Sequence, residues 1–367
     1  MATALPAAYL TSLAGCATGG RKGGSYRDVF LKSLIADWET GIPQWLQEVK
    51  LPGASVVLIH EGKLVWRRGF GVKDTGTNEP VDNETVFAAC SNTKPVFAYA
   101  VAKLCENGVM DLDTPLTRYT PERIISDPRL DLITARHVLT HTTGFPNWRQ
   151  EPEPLALQFT PGEKYQYSGE GFSYLQSVVA RLTGQSFEDF MRKNILVPFG
   201  MNSSFISWDM STARQIAKPH DSSGKRIAGK FYTLPNAAEK ARELGRYGAA
   251  AALMTTPTDY AKFILELMNP KRTDRFRLSE AGLREYLRPQ VKRDNGQWEA
   301  LGWVVYQSER YSPVYIHAGQ AAGYYCFTNF STGRKSGVKV MMNGDNWAGF
   351  IAKMLPDPMK FGEGMFT

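Results

Sequence analysis

The chain lacks any uninterrupted apolar run of the roughly 18 to 20 residues that a membrane-spanning helix needs, so no segment is expected to cross a bilayer. Cysteine is scarce. The four are Cys16, Cys90, Cys105 and Cys326, with no Cys-x-x-Cys pair and no ligand-like spacing to the five histidines, which argues against a zinc site. No Gly-x-Gly-x-x-Gly or Gly-x-x-x-x-Gly-Lys-[Ser/Thr] element follows a strand pattern, so a nucleotide cofactor has no support and no cofactor is expected. The formal net charge is +7, yet the sequence holds no Lys/Arg-rich block and no basic motif interleaved with aromatics. The excess is read as solvated surface, not as a nucleic-acid interface.

What is present is an ordinary globular composition. The 367 residues are 43% hydrophobic and 22% charged, enough for a large core and for two lobes. Cys90 and Cys105 fall in apolar runs and read as small buried hydrophobes. Cys16 ends Leu13-Ala14-Gly15-Cys16, the small-residue pattern at which bacterial lipoprotein precursors are cleaved and lipidated, and a Gly-rich tether follows it. The preceding segment has no positive start and a thin apolar core. The expectation is a cell-envelope or periplasmic protein with a possible lipid on Cys16; the alternative is a cytoplasmic protein with a disordered tail.

Between Ser25 and Glu48 apolar residues recur three to four apart, which predicts an amphipathic helix. Ala54–His60 and Leu64–Phe70 read as strands joined by a tight turn at Glu61-Gly62-Lys63. Helical patterns dominate from Pro95 to Tyr286. Strand patterns return at Leu301–Gln307, Val314–His317, Gly323–Phe330 and Gly337–Met342, and a last helix is expected after Asp345. Strands at both ends with helices between predict an α+β fold: an antiparallel sheet flanked by the terminal helices, with an inserted helical lobe. The expected division is a signal-like or disordered tether over 1–24, a sheet domain over 25–90 plus 296–367, and a helical domain over 91–295. The active site is expected between the last two.

Ser-x-x-Lys occurs three times, at Ser91–Lys94, Ser222–Lys225 and Ser336–Lys339, so at least two are accidental. Chemistry needs the serine at a helix start, where the lysine one turn on shares its face and free backbone N–H groups can hold an oxyanion. Ser91 has that context: Pro95 suits a first helical turn, and Val96, Phe97, Ala100, Val101 and Leu104 form an apolar stripe. Ser222 lies in a polar loop and Ser336 before an alternating strand. Lys94 must be neutral to act as a base, and burial favours that form.

Further on come "PGEKYQYSGEGF", ending the loop that contains Tyr167, and "VYIHAGQAAG", which contains His317. In this order the three elements resemble the serine β-lactamase and penicillin-binding protein superfamily. The nearest match is the class C β-lactamase-like group, which also holds D-Ala-D-Ala carboxypeptidases, D-aminopeptidases and carboxylesterases. The segments "VLTHTTGF", "LVPFGM", "TTPTDY" and "NGDN" agree with it, and the resemblance covers roughly residues 40 to 350.

The resemblance implies a β-lactamase/transpeptidase-like fold and an acyl-enzyme mechanism. Ser91 would be the acylated nucleophile, Lys94 its base, and Tyr167 the partner that protonates the leaving group. The N–H groups of Ser91 and Gln320 would form the oxyanion hole. His317 stands where the family has the lysine of Lys-Thr-Gly and would steer the proton network electrostatically; Gly319 would keep the strand clear for substrate. His141 is read as structural. Two departures bear on substrate: Gly169 replaces the asparagine of Tyr-x-Asn, and Ala318 replaces the threonine of Lys-Thr-Gly. Each removes a recognition group, at a cost of about 1.5 to 3 kcal/mol where the partner is charged. The expected substrates are therefore small acyl esters, then D-amino-acid peptides or amides including peptidoglycan-like ones, with β-lactams as a side activity. An inert cell-wall-binding homologue is the alternative outside enzymology.

Overall fold

Glu61 and Gly62 both take positive φ, at 50° and 70°, and this turn folds the first two strands into a hairpin. The computed structural model describes residues 26–150, 152–228, 236–270, 275–307 and 312–355; Cys16 and the expected tether lie outside them. The strands are β1 (Gly53–His60), β2 (Lys63–Asp74), β3 (Glu79–Pro80), β4 (Phe87–Ala88), β5 (Met254–Thr255), β6 (Val291–Lys292), β7 (Trp298–Glu299), β8 (Val304–Tyr306), β9 (Val314–Ala321), β10 (Tyr324–Ser331) and β11 (Ser336–Met342). Nine of them form one antiparallel sheet in the order β3-β2-β1-β11-β10-β9-β8-β7-β6. The N-terminal hairpin and the C-terminal strands meet where β1 pairs with β11, Val56 opposite Val340.

The helices are α1 (Tyr26–Glu48), α2 (Thr93–Glu106), α3 (Ala135–Leu139), α4 (Gly169–Thr183), α5 (Phe187–Met191), α6 (Met210–Ala213), α7 (Ala237–Ala251), α8 (Pro257–Met268), α9 (Glu280–Leu287) and α10 (Trp347–Met354). Strand alternation sends Val56, Leu58, Val340 and Met342 to one face, where Trp38, Ile42 and Leu46 of α1 and Phe350 of α10 cover them. Val57, Ile59, Met341 and Phe330 face the helical lobe instead. Because both faces are covered, β1, β10 and β11 are buried along their whole length.

Helix α2 is the axis of that lobe. Every residue from Thr93 to Ala102 is buried, which suits a helix apolar on all sides. Phe97 meets Phe172, Phe187 and Phe190, and Tyr99 meets Phe199, Phe263 and Tyr286. Burying one such ring is worth about 1.5 to 3 kcal/mol, so the position of α2 is set by many contacts at once. The C-terminal strands of the sheet begin at Val291, slightly before the expected boundary of 296, and β5, which pairs with β4, lies inside the stretch expected to be helical. Two-residue strands carry too little alternation to be read from sequence.

Candidate active site

The chain enters α2 through a tight 3-10 turn, Cys90–Asn92. Cys90 takes φ +48°, a costly conformation for a residue with a side chain, and it is held there from both sides. The Thr93 hydroxyl donates to Cys90 O at 2.7 Å and accepts from Leu253 N at 3.0 Å. On the other side the turn presses on β9: a Cβ at Gly319 would lie 2.6 Å from Ala89 O and 2.8 Å from Ser91 N. Glycine is what lets the Ser91 N–H approach the strand.

Ser91 is half-buried, and Lys94, one turn on, is 1% exposed. Lys94 Nζ donates to Ser91 Oγ at 3.2 Å and to Ala250 O at 2.9 Å. It lies 4.8 Å above the Tyr167 ring and 5.4 Å above that of Phe172. Burial brings its pKa down to about 7, against a small upward pull from Cys90. The Tyr167 hydroxyl hydrogen-bonds Ser91, and burial raises the Tyr167 pKa, keeping the phenol protonated.

Tyr167 is placed by the residue after it. Ser168 caps α4: its Oγ accepts from Gly171 N at 3.0 Å and donates to Pro146 O at 2.9 Å. Its backbone N donates to Nδ1 of the buried His141 at 3.1 Å, and the His141 ring packs 4.3 Å from that of Tyr167. Burial, reinforced by the charge of Lys94, holds the His141 pKa well below its ordinary value, as an accepting Nδ1 requires. His141 thus supports the Tyr167 loop.

At Gly169 the structure shows what takes the place of a side chain. A Cβ there would run into the indole of Trp148, which is half-buried and packs edge-on to Tyr247 at 4.9 Å. Just beyond, the Arg149 guanidinium grips the buried Glu170 carboxylate at 2.9 and 2.6 Å. The wall beside Tyr167 is therefore aromatic where an amide could have stood.

On β9 the side chains alternate. His317 and Gly319 are buried, whereas Ala318 and Gln320 are exposed. His317 Nδ1 is 2.8 Å from Ala318 O and its ring meets Trp303 edge-on. Burial, then the charge of Lys94, pushes its pKa down to about 3. The imidazole is uncharged at neutral pH, so what His317 presents to the Ser91 side of the site is a neutral ring. Sequence gave no hint of this, because the groups that bury His317 come from distant parts of the chain. Among the described residues, no group of three or more His, Cys, Asp or Glu could hold a metal ion, and no helix is long and apolar enough to cross a membrane.

The profile of the family described as Beta-lactamase matches residues 38–355. The chain belongs to the Beta-lactamase family. Esterase EstB of Burkholderia gladioli is 32% identical over 206 residues, 48% of this chain and 52% of the esterase. Protein flp of Staphylococcus aureus (strain MRSA252) is 22% identical over 324 residues, 83% of this chain and 62% of flp. The matches thus span about half and just over three fifths of those relatives. Among solved structures, the octameric penicillin-binding protein homologue from Pyrococcus abyssi superposes with a TM-score of 0.72 at 22% identity, over 90% of this chain and 78% of that one. D-alanine carboxypeptidase AmpC from Burkholderia cenocepacia gives 0.72 at 17% identity, over 89% and 99%. At these identities the superpositions establish the fold, which is the expected one.

Around Ser91, Lys94, Tyr167 and His317 stand residues that sequence reasoning passed over: Asn92, Trp148 and Lys339. A lysine in the middle of the apolar run Val338-Lys339-Val340-Met341-Met342 was a signal, since a buried strand seldom carries one. Asn92 and Trp148 offered none, because their partners are remote in sequence.

Proposed function

We propose that this protein hydrolyses small acyl esters through an acyl-enzyme on Ser91. The observation that carries the reading is the contact of Lys94 with the Ser91 hydroxyl at 3.2 Å, made by a lysine that burial brings to a pKa of about 7. Neutral Lys94 takes the hydroxyl proton as Oγ attacks the ester carbonyl. The oxyanion is received by the N–H groups of Ser91 and Gln320. Lys94, now protonated, passes a proton through Tyr167 to the departing alkoxide as the C–O bond breaks. Water then attacks the acyl-Ser91 ester, giving up its proton to the same pair, and releases the acid with Ser91 restored.

Trp148 and Ala318 support ester over peptide or β-lactam. The first offers an aromatic face where an amide could have bonded a substrate amide, and the second has no hydroxyl for a substrate carboxylate. The similarity to an esterase points the same way. The test is a ranking of kcat/KM for p-nitrophenyl butyrate, nitrocefin and a D-Ala-D-Ala peptide. The ester is expected to lead by at least roughly tenfold, the worth of one lost bond to a charged group. Nitrocefin turned over faster than the ester overturns the assignment.

A further inference from the structure

Lys339 belongs to a Ser-x-x-Lys that reads as an accident of sequence, and Ser336 indeed lies elsewhere, against His60. The lysine itself is 1% exposed in the middle of β11, opposite Val57 on β1 and Thr328 on β10. Its Nζ donates to Asn92 Oδ1 at 2.9 Å and to Thr328 Oγ1 at 3.1 Å, and lies 4.1 Å from the centre of the Tyr260 ring. The Cys326 thiol completes its surroundings. Among the described residues no carboxylate pairs with it. A buried lysine so placed is costly, and a methionine would fill the same space, so core packing does not account for it.

Its partner lies next to the nucleophile. Asn92 Oδ1 accepts from Lys339 and, at 2.5 Å, from the Thr328 hydroxyl, which fixes the sense of the amide. Nδ2 is thereby turned to His317 O on β9, to which it donates at 3.3 Å. The backbone carbonyl of Asn92 is held too, by the Tyr260 hydroxyl at 3.0 Å. One side chain therefore ties the Ser91 turn to the strand that bears Gln320, and β11 holds that side chain in place.

We propose that Lys339 is a positioning residue for the acylation step. By orienting the Asn92 amide it locks the Ser91 turn onto β9, so that the N–H groups of Ser91 and Gln320 keep the spacing an oxyanion needs. The inference rests on Ser91 being the acylated nucleophile. Lys339 touches no reacting atom; its effect passes through Asn92.

The test uses the full chain and three variants: Lys339→Met, Asn92→Ala and the pair together. Each is measured for fold by circular dichroism, for labelling rate with a fluorophosphonate, and for kcat and KM on p-nitrophenyl butyrate. Loosening the donors should lower labelling rate and kcat roughly ten- to a hundredfold with KM little changed. Because both single changes cut one link, the double variant should be no slower than the slower single. Folded Lys339→Met that labels within about twofold of the native rate overturns the proposal, as do single effects that multiply in the double variant. If Lys339→Met fails to fold, Asn92→Ala decides alone: a slowed rate supports the link and a native rate rejects it. A native chain that labels with no probe is a different failure, that of the hydrolase reading itself, and this inference falls with it.

Discussion

Lys94 can serve as a base because of where it is, not what it is. A lysine in water holds its proton far above neutrality; buried beside the Tyr167 and Phe172 rings it gives it up near pH 7. In the proposed mechanism the neutral amine is the active form, so kcat/KM for an ester should rise with pH through about 7 and fall about tenfold for each unit below it. A stopped-time pH profile checks this, and a flat profile between pH 5 and 8 contradicts it. Lys94→Arg keeps the charge but cannot lose its proton, and should lower kcat by roughly 10² to 10⁴.

At the scale of elements, the site is a junction of four pieces: the Cys90–Asn92 turn, α2, the loop before α4, and β9. Glycines mark two of the joints. Gly319 lets the turn sit on β9, and Gly169 leaves room for the Trp148 indole. Gly169→Asn, which installs the missing amide, should overpack the joint and destabilise the fold by about 1 to 3 kcal/mol. Adding Trp148→Ala should recover part of that loss and raise the nitrocefin-to-ester ratio of kcat/KM. Denaturant midpoints and the two rates report it. A Gly169→Asn variant of native stability would mean that the indole moves aside freely.

Across the whole molecule, the sheet built from N-terminal and C-terminal strands was legible in the sequence. The hairpin turn, the four C-terminal strand patterns and the α2 stripe are local signals, and each became an element. Ser91, Lys94 and Tyr167, singled out by their order along the chain, lie side by side in the structure. What stayed hidden was made by contacts between distant segments. The neutrality of His317 depends on what buries it, and the partnership of Lys339 with Asn92 spans the length of the chain between α2 and β11. The aromatic wall at Gly169 likewise joins Trp148 to Tyr247.

Burial has a further consequence for the molecule as a whole. His137, His141, His220 and His317 are all held below their ordinary value chiefly by burial. The unfolded chain takes up these protons as pH falls through about 6.5, while the folded chain resists. Their contribution to stability is full above that pH and is lost on acidification, for His317 until pH reaches about 3. The urea midpoint should therefore drop steadily below pH 6.5, and less steeply in a His317→Gln variant by up to about one proton's worth of slope. Identical slopes would remove His317 from this account.

The central claim is that Ser91 becomes acylated, and intact-mass spectrometry with peptide mapping tests it most directly. After brief exposure to a fluorophosphonate, the native chain should carry one adduct on the peptide bearing Ser91-Asn92-Thr93-Lys94, and Ser91→Ala should carry none. An adduct on another residue, or ester turnover that survives Ser91→Ala, contradicts the account.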